Sequence, residues 1–237
     1  MSTPGSEILR VSNLHAHYGE SHILQGIDFF VRRGELVTLL GRNGAGRTTT
    51  LKAILGMVRR RTGSISVKDR ETIALPTYRI ARLGVGYCPE ERGIFASLSA
   101  SENLLLPPVV GPGGMSLDEI YEMFPNLRER ETSSGTRLSG GEQQMLALAR
   151  ILRTGADILL LDEITEGLAP VIVNALEDAI RALKQRGYTI VLVEQNFRFT
   201  HDIADRHYVI EHGRVLHMVE HANLKSEIPH LQRLLGL

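Results

Sequence analysis

A glycine-rich turn between an apolar strand and an amphipathic helix constrains this 237-residue chain more than any other feature. Residues 35–40, Glu-Leu-Val-Thr-Leu-Leu, form an apolar run of strand length. Residues 50–58 place Leu51, Ile54, Leu55 and Val58 at helical spacing. Between them lies Gly-Arg-Asn-Gly-Ala-Gly-Arg-Thr-Thr, residues 41–49. Gly41, Gly44 and Gly46 let the backbone curl so that successive N–H groups face an anion. A helix starting near Arg47 adds its positive end. Thr48 supplies a hydroxyl where the phosphate-binding motif G-x-x-x-x-G-K-[ST] has its Mg²⁺ ligand. The lysine of that motif is Arg47 here. A glycine-rich turn before an ordinary helix is the alternative, and the rest of the chain decides between them.

The length fits one large domain, or one domain carrying a subdomain. With 43% hydrophobic and 23% charged residues, the chain has a globular composition. A formal net charge of zero provides no basic field to recruit nucleic acid. Cys88 is the only cysteine, so no disulfide framework exists and a reducing compartment is expected. No segment reaches the ~18 apolar residues of a membrane span. Residues 1–7 lack a basic stretch followed by an apolar core, so no secretory leader is read there. Only four of the 27 basic residues are lysines (Lys52, Lys68, Lys184 and Lys225). A general bias towards arginine is therefore one explanation of Arg47.

The order of elements points to an α/β fold. Residues 8–18 and 21–31 read as short strands around a turn at Gly19, an antiparallel prelude to the strand at 36–40. Strands are expected at 63–67 and 85–88, with a helix at 77–83 between them. Composition changes between about 98 and 136, where Pro107, Pro108, Gly111, Pro112, Gly113 and Gly114 break the chain between helices expected at 101–106 and 117–130. We read a helical subdomain over about 98–150, inserted into the α/β body. Further helices are expected at 141–152 and 171–186, the latter ended by Gly187. Buried parallel strands are expected at 158–161 and 188–193. A terminal hairpin over 207–219 turns at His212-Gly213, and 221–237 forms a short helical tail. Alternating strands and helices imply a mainly parallel sheet with ligands at the strands' carboxyl ends.

Two further strings carry chemistry. Residues 158–163, Ile-Leu-Leu-Leu-Asp-Glu, end a buried strand on two carboxylates. Asp162 can hold Mg²⁺, and Glu163 can orient and deprotonate water. Two acids ending a strand are also common without any such role. Residues 138–144, Leu-Ser-Gly-Gly-Glu-Gln-Gln, place Ser139, Gly140 and Gly141 at a helix N-terminus that favours an anion. The plain alternative is a capping box between Ser139 and Glu142.

The string 138–144 resembles the signature motif of ATP-binding cassette (ABC) ATPases, with 41–48 resembling their Walker A and 159–163 their Walker B. The motifs stand in family order, and the resemblance covers about 9–219, within an ABC ATPase domain spanning 8–220. It implies a P-loop NTPase with a mainly parallel core sheet, an N-terminal antiparallel β subdomain and the inserted helical subdomain. It also implies ATP and Mg²⁺ as ligands. Phosphate binding falls to Gly41, Asn43, Gly44, Ala45, Gly46, Arg47, Thr48 and Thr49, and metal binding to Thr48, Asp162 and Glu90. Glu90 stands where most members have the lid-loop glutamine. Glu163 becomes the catalytic base and Gln195 the switch residue in place of the usual histidine. An amide there can donate a hydrogen bond but cannot become a cation. Tyr18 matches the aromatic that stacks on adenine, against the alternative of a core strand residue. Ser139, Gly140 and Gly141 would serve the ATP of a second subunit.

Tyr-Gly at 18–19, Pro-Glu at 89–90, Glu-Gly-Leu-Ala-Pro at 166–170 and Val-Glu-Gln-Asn at 193–196 resemble the ATP-binding subunits of branched-chain amino acid importers, with urea and amide importers nearby. The implied partners are a second ABC ATPase subunit, identical or different, membrane permease subunits and, indirectly, a periplasmic binding protein. The implied place is cytoplasmic, peripheral on the inner face of the cell membrane. Arg47 departs even from this branch, which keeps open a regulatory subunit that binds nucleotide with impaired hydrolysis. A non-transport cassette protein of translation or DNA repair would usually carry tandem cassettes or long coiled coils, and neither is present here. The nine histidines show no metal-ligand spacing; His212, His217 and His221 straddle the expected hairpin.

Overall fold

The computed structural model describes residues 5–236. Residues 1–4, where no leader was expected, and residue 237 of the expected helical tail lie outside the described residues. Two sheets organise the chain. The first is antiparallel, in the order β2-β1-β4-β5, built from β1 (Glu7–Tyr18), β2 (Ser21–Arg32), β4 (Arg60–Val67) and β5 (Arg70–Glu71). The second has the order β10-β9-β3-β8-β7-β6. It contains β3 (Leu36–Leu40), β6 (Val85–Cys88), β7 (Ile158–Asp162), β8 (Thr189–Val193), β9 (Arg206–Glu211) and β10 (Arg214–Glu220). All its pairings are parallel except β9 with β10.

Period-two alternation along the parallel strands builds the layers. In β7, Leu159 and Leu161 pack into one core with Leu146, Leu148 and Leu176, while Ile158 and Leu160 pack into the other with Leu14, Ile27 and Leu51. In β8, Ile190 and Leu192 take the first side and Val191 and Val193 the second. Every residue of β3, β7 and β8 is buried, which is why these strands read as unbroken apolar runs. One face carries the helices α3 (Ala100–Leu105), α4 (Leu117–Met123), α5 (Pro125–Glu129), α6 (Gly140–Leu152) and α7 (Pro170–Gln185). The other carries the antiparallel sheet, α1 (Arg47–Ile54) and α2 (Thr77–Ala81). A third cluster joins Leu40 and Val209 to Leu224 and Leu231 of the C-terminal helix Leu224–Leu235.

Local differences from the sequence reading have local causes. The first two strands are long, 12 residues each, and β4 starts at Arg60 rather than at 63. His17 pairs with Arg60 and His15 with Thr62, so ladder hydrogen bonds hold a polar stretch that propensity alone leaves as loop. The single helix expected over 117–130 is two. Pro125 opens the second, and Phe124 before it adopts φ −130° and ψ 74°. Proline disfavours a helical residue ahead of it and suits a first helical position. Three short elements are not read from sequence: β5, the 3-10 turn Gly135–Arg137 and the turn of helix Phe197–Thr200. The hairpin between β9 and β10 turns at His212 and Gly213, both at positive φ, as a two-residue connection of this hand requires.

Candidate functional site

The phosphate-loop segment leaves β3 and enters α1 at the carboxyl edge of the parallel sheet. Asp162 and Glu163 leave β7 at that same edge, and Glu194 and Gln195 leave β8, which lies between β3 and β7. The topology thus gathers three segments separated by at least 30 residues each. Gly41 is required by close approach: a Cβ there would collide with the carbonyl oxygen of Ile210. Gly46 sits at φ 106°, and a Cβ there would stand 2.8 Å from Leu24 Cδ2. Gly46 is also the N-cap of α1, with no side-chain cap and no acidic residue in the first turn. The free N–H groups of that turn therefore remain available to an anion. At the start of α6, by contrast, Glu142 N donates to Ser139 Oγ (3.3 Å) and Ser139 N donates to Glu142 Oε2 (2.7 Å). The capping box read as the plain alternative is formed, with Ser139 engaged inside its own chain.

A cavity of about 390 Å³ opens over the loop, lined by Tyr18, Ile23, Asn43, Gly44, Ala45, Gly46, Arg47, Thr48, Thr49, Glu90, Glu163 and Glu166. Tyr18 is 49% exposed, so it is not a core aromatic. Gly41, Asp162, Ser139, Gly140 and Gly141 are not among the lining residues. Gln195 lines a neighbouring cleft with Glu163, Thr165, Glu166, Glu194 and Asn196.

Polar contacts tie the floor together. Thr48 Oγ1 donates to Asp162 Oδ1 at 2.9 Å, and Tyr87 OH donates to Asp162 Oδ2 at 2.9 Å. Burial raises the Asp162 carboxyl above its ordinary value, and these two donors offset only part of that rise. A hydroxyl and a carboxylate side by side form an oxygen-only donor set, which fits a hard cation that keeps several waters and substrate oxygens. Arg47, 4% exposed, donates from Nη2 to Glu163 Oε1 at 2.6 Å and to Asn43 Oδ1 at 3.2 Å. Its Nη1 is buried without a hydrogen-bond partner. Glu163 is a non-glycine at φ 47°, held there as its N–H donates to Val193 O at 2.9 Å. Such left-handed backbone at a bulky residue gathers at functional sites. Burial, with Glu166 and Glu90 adding to it and Arg47 opposing, pushes the Glu163 carboxyl up to about 7. Burial likewise raises Glu90, beside Glu166, Glu91 and Asp162.

Sequence reasoning missed three residues here. Tyr87 reaches Asp162 across the β6–β7 pairing, and nothing local to residues 85–88 marks it. Glu194 accepts from Thr165 N at 3.2 Å and from Thr165 Oγ1 at 3.0 Å, linking the segment after Glu163 to the residue before Gln195. Its only signal is a charge directly after a buried strand. Burial pushes Glu194 up to about 7. Thr165 is the third, with no signal of its own.

Residues 24–166 match the ABC transporter family. The chain belongs to that family. It is 37% identical over 218 residues to the high-affinity branched-chain amino acid transport ATP-binding protein BraG of Pseudomonas aeruginosa, covering 88% of this chain and 91% of that protein. It is 35% identical to the probable branched-chain amino acid transport ATP-binding protein LivF of Archaeoglobus fulgidus, covering 88% and 90%. It is 34% identical to the lipopolysaccharide export system ATP-binding protein LptB of Acidithiobacillus ferridurans, covering 89% of each. Among solved structures, a nucleotide-free ATP-binding cassette from an ABC transporter superposes with a TM-score of 0.83 at 20% identity, covering 98% of this chain and 99% of that one. A dimeric cassette in a post-hydrolysis state bound to ADP and Pi superposes at 0.79 with 23% identity, covering 90% and 98%. The fold is that of an ABC ATPase, and the chain is an ATP-binding, ATP-hydrolysing subunit of the family. Among the described residues, no helix is long and apolar enough to cross a membrane.

Proposed function

We propose that this subunit powers an importer of branched-chain amino acids. ATP closes a dimer of cassettes, hydrolysis opens it, and the motion drives membrane permeases fed by a periplasmic binding protein. The chain would sit on the inner face of the membrane through those permeases. The observation that carries ATP turnover is the convergence of the uncapped α1 turn, Thr48 and Glu163 on one cavity at the sheet's carboxyl edge, with the buried Asp162 bonded to Thr48. The substrate reading rests on Gln195 and its neighbours, and on the names of two relatives. LptB's similarity argues that the cassette alone does not select cargo.

In this reading the backbone N–H groups of Gly44, Ala45 and Gly46 and the Arg47 guanidinium hold the phosphates, and Tyr18 stacks on adenine. Thr48 and Asp162, with Glu90 lining the same cavity as Thr48, would hold Mg²⁺, which would supply neutralisation of charge on the phosphate oxygens. Glu163, with its carboxyl near 7, takes a proton from the attacking water. Gln195 donates its amide N–H to the γ-phosphate. Ser139, Gly140 and Gly141 serve the partner's nucleotide, and Ser139 must leave its capping box to do so.

A second reading, a nucleotide-binding regulatory subunit with slow hydrolysis, is favoured by the Arg47–Glu163 contact. Reconstitution with permeases and binding protein tests the first: leucine, isoleucine or valine should stimulate ATPase activity and uptake. Stimulation by a urea or an amide instead would move the chain to another importer branch. Single-turnover hydrolysis, alone and with partner subunits, separates the powering subunit from the regulatory one.

A further inference from the structure

We propose that Arg47 is a positioning residue for Glu163: without nucleotide its guanidinium holds the carboxylate, and the phosphates draw it away, so nucleotide binding frees the base. The proposal rests on the nucleotide reading of this site and concerns its regulation. Arg47 and Glu163 are 116 residues apart in sequence, yet Nη2 stands 2.6 Å from Oε1, with the two side chains 4% and 13% exposed. In that environment a charge-assisted hydrogen bond is little screened by water. A carboxylate engaged by a guanidinium has one oxygen less to offer an attacking water.

The fork is only half used. Nη2 serves Glu163 and Asn43, while Nη1 is buried with no partner. A buried donor without an acceptor is a costly arrangement. Arg47 lines the cavity at the uncapped end of α1, where a phosphate oxygen would supply the missing acceptor. A phosphate group brings more negative charge than one carboxylate and accepts both tips of the fork. Binding therefore pits the phosphates against Glu163 for one cation. The backbone of Glu163, at φ 47° and tied to Val193 O, holds the residue beside the loop independently of the Arg47 contact.

The test is a double-mutant cycle on MgADP affinity by calorimetry, using wild type, Glu163→Gln, Arg47→Met and the double variant. Removing the Glu163 charge relieves repulsion of the phosphates in either background. Only with Arg47 present does it also release the cation. Glu163→Gln should therefore tighten MgADP about tenfold more with Arg47 than with Met at 47, the scale of a lost hydrogen bond to a charged group. Equal effects in the two backgrounds overturn the proposal while leaving nucleotide binding intact. No binding by the wild type removes the nucleotide reading, and this inference with it. Should Arg47→Met bind too weakly to measure, the same four proteins are compared by thermal unfolding without nucleotide. Non-additive shifts in Tm are expected there, and additive shifts overturn the pairing directly.

Discussion

Arg47 and Arg206 are both buried guanidiniums with a carboxylate partner, and their surroundings assign them opposite work. Arg206 is 1% exposed at the start of β9, with Nη2 3.1 Å from Glu35 and 3.4 Å from Glu220. Its Cζ lies over the Phe30 ring, 4.3 Å from the centroid, and Nη1 donates to Tyr208 OH at 3.2 Å. Partners from β2, β9 and β10, with Glu35 ahead of β3, enclose it and join the antiparallel sheet to the parallel one. Arg47 has one carboxylate and one amide, and it faces a cavity of about 390 Å³. Each keeps one unpartnered nitrogen, but in Arg206 it is Nε at the base of the fork and in Arg47 it is Nη1 at the tip. Burial and pairing do not separate a structural cation from a functional one. What the unused face of the fork meets does.

The strongest way to sharpen this contrast acts on the partner of the functional cation. Glu163→Gln should keep ATP binding and slow hydrolysis by ~10²–10⁴-fold, the worth of a positioned base. Size-exclusion chromatography with ATP should then show a trapped dimer, and unchanged turnover would take Glu163 out of the base role. Arg206→Met probes the other side. It leaves Glu35 buried without its cation and should cost ~3–5 kcal/mol in denaturant unfolding, with MgADP affinity of the folded fraction unchanged. A loss of affinity as large as that for Arg47→Met would break the comparison.

Smaller effects follow. Arg47→Lys keeps the charge but replaces a wide planar fork with a compact ammonium, and it should raise kcat, by up to ~10²-fold if the guanidinium displaces the phosphates by ~1 Å. Steady-state assays with partner subunits decide this; no gain would mean that Arg47 merely follows the chain's preference for arginine. Tyr18→Ala should weaken nucleotide binding by ~1 kcal/mol or more through lost stacking and leave stability nearly unchanged, since the ring is half exposed. Equal affinities by calorimetry would remove the stacking role.

The smallest effect belongs to the residue beside Arg206. His207 is buried, bonded through Nδ1 to Thr38 Oγ1 at 2.7 Å, and burial pushes it down to about 4. A lowered histidine value means that the unfolded chain binds the proton first. Its contribution is therefore present above about 6.5 and is lost as pH falls from there towards 4. Stability should drop by ~1 kcal/mol between pH 7.5 and 6, and His207→Asn should flatten that slope in thermal unfolding.

Legibility in the sequence followed the range of the interaction that carries each feature. The phosphate loop, the acids at 162–163 and the string at 138–144 were readable because each is a local backbone device of fewer than ten residues. The parallel strands were readable because burial on both faces leaves an unbroken apolar run. The break at Pro125 was open to a local reading and was missed. The start of β4 at Arg60 was not, since its cause is the ladder with β1 more than 40 residues away.

By itself, then, the sequence determined the family, the order of the elements and the residue types at the site, since those are set by short-range backbone preferences and by the burial pattern of each strand. Tertiary structure alone decided the partners. It put Arg47 on Glu163, Tyr87 on Asp162, Thr165 on Glu194 and Arg206 between Glu35 and Phe30. Three of these four contacts join residues 29 or more positions apart within the site, and the fourth bridges the two sheets. A hydrogen bond of this kind has no sequence period to betray it, because what brings its ends together is the closure of the sheet and the burial of everything between.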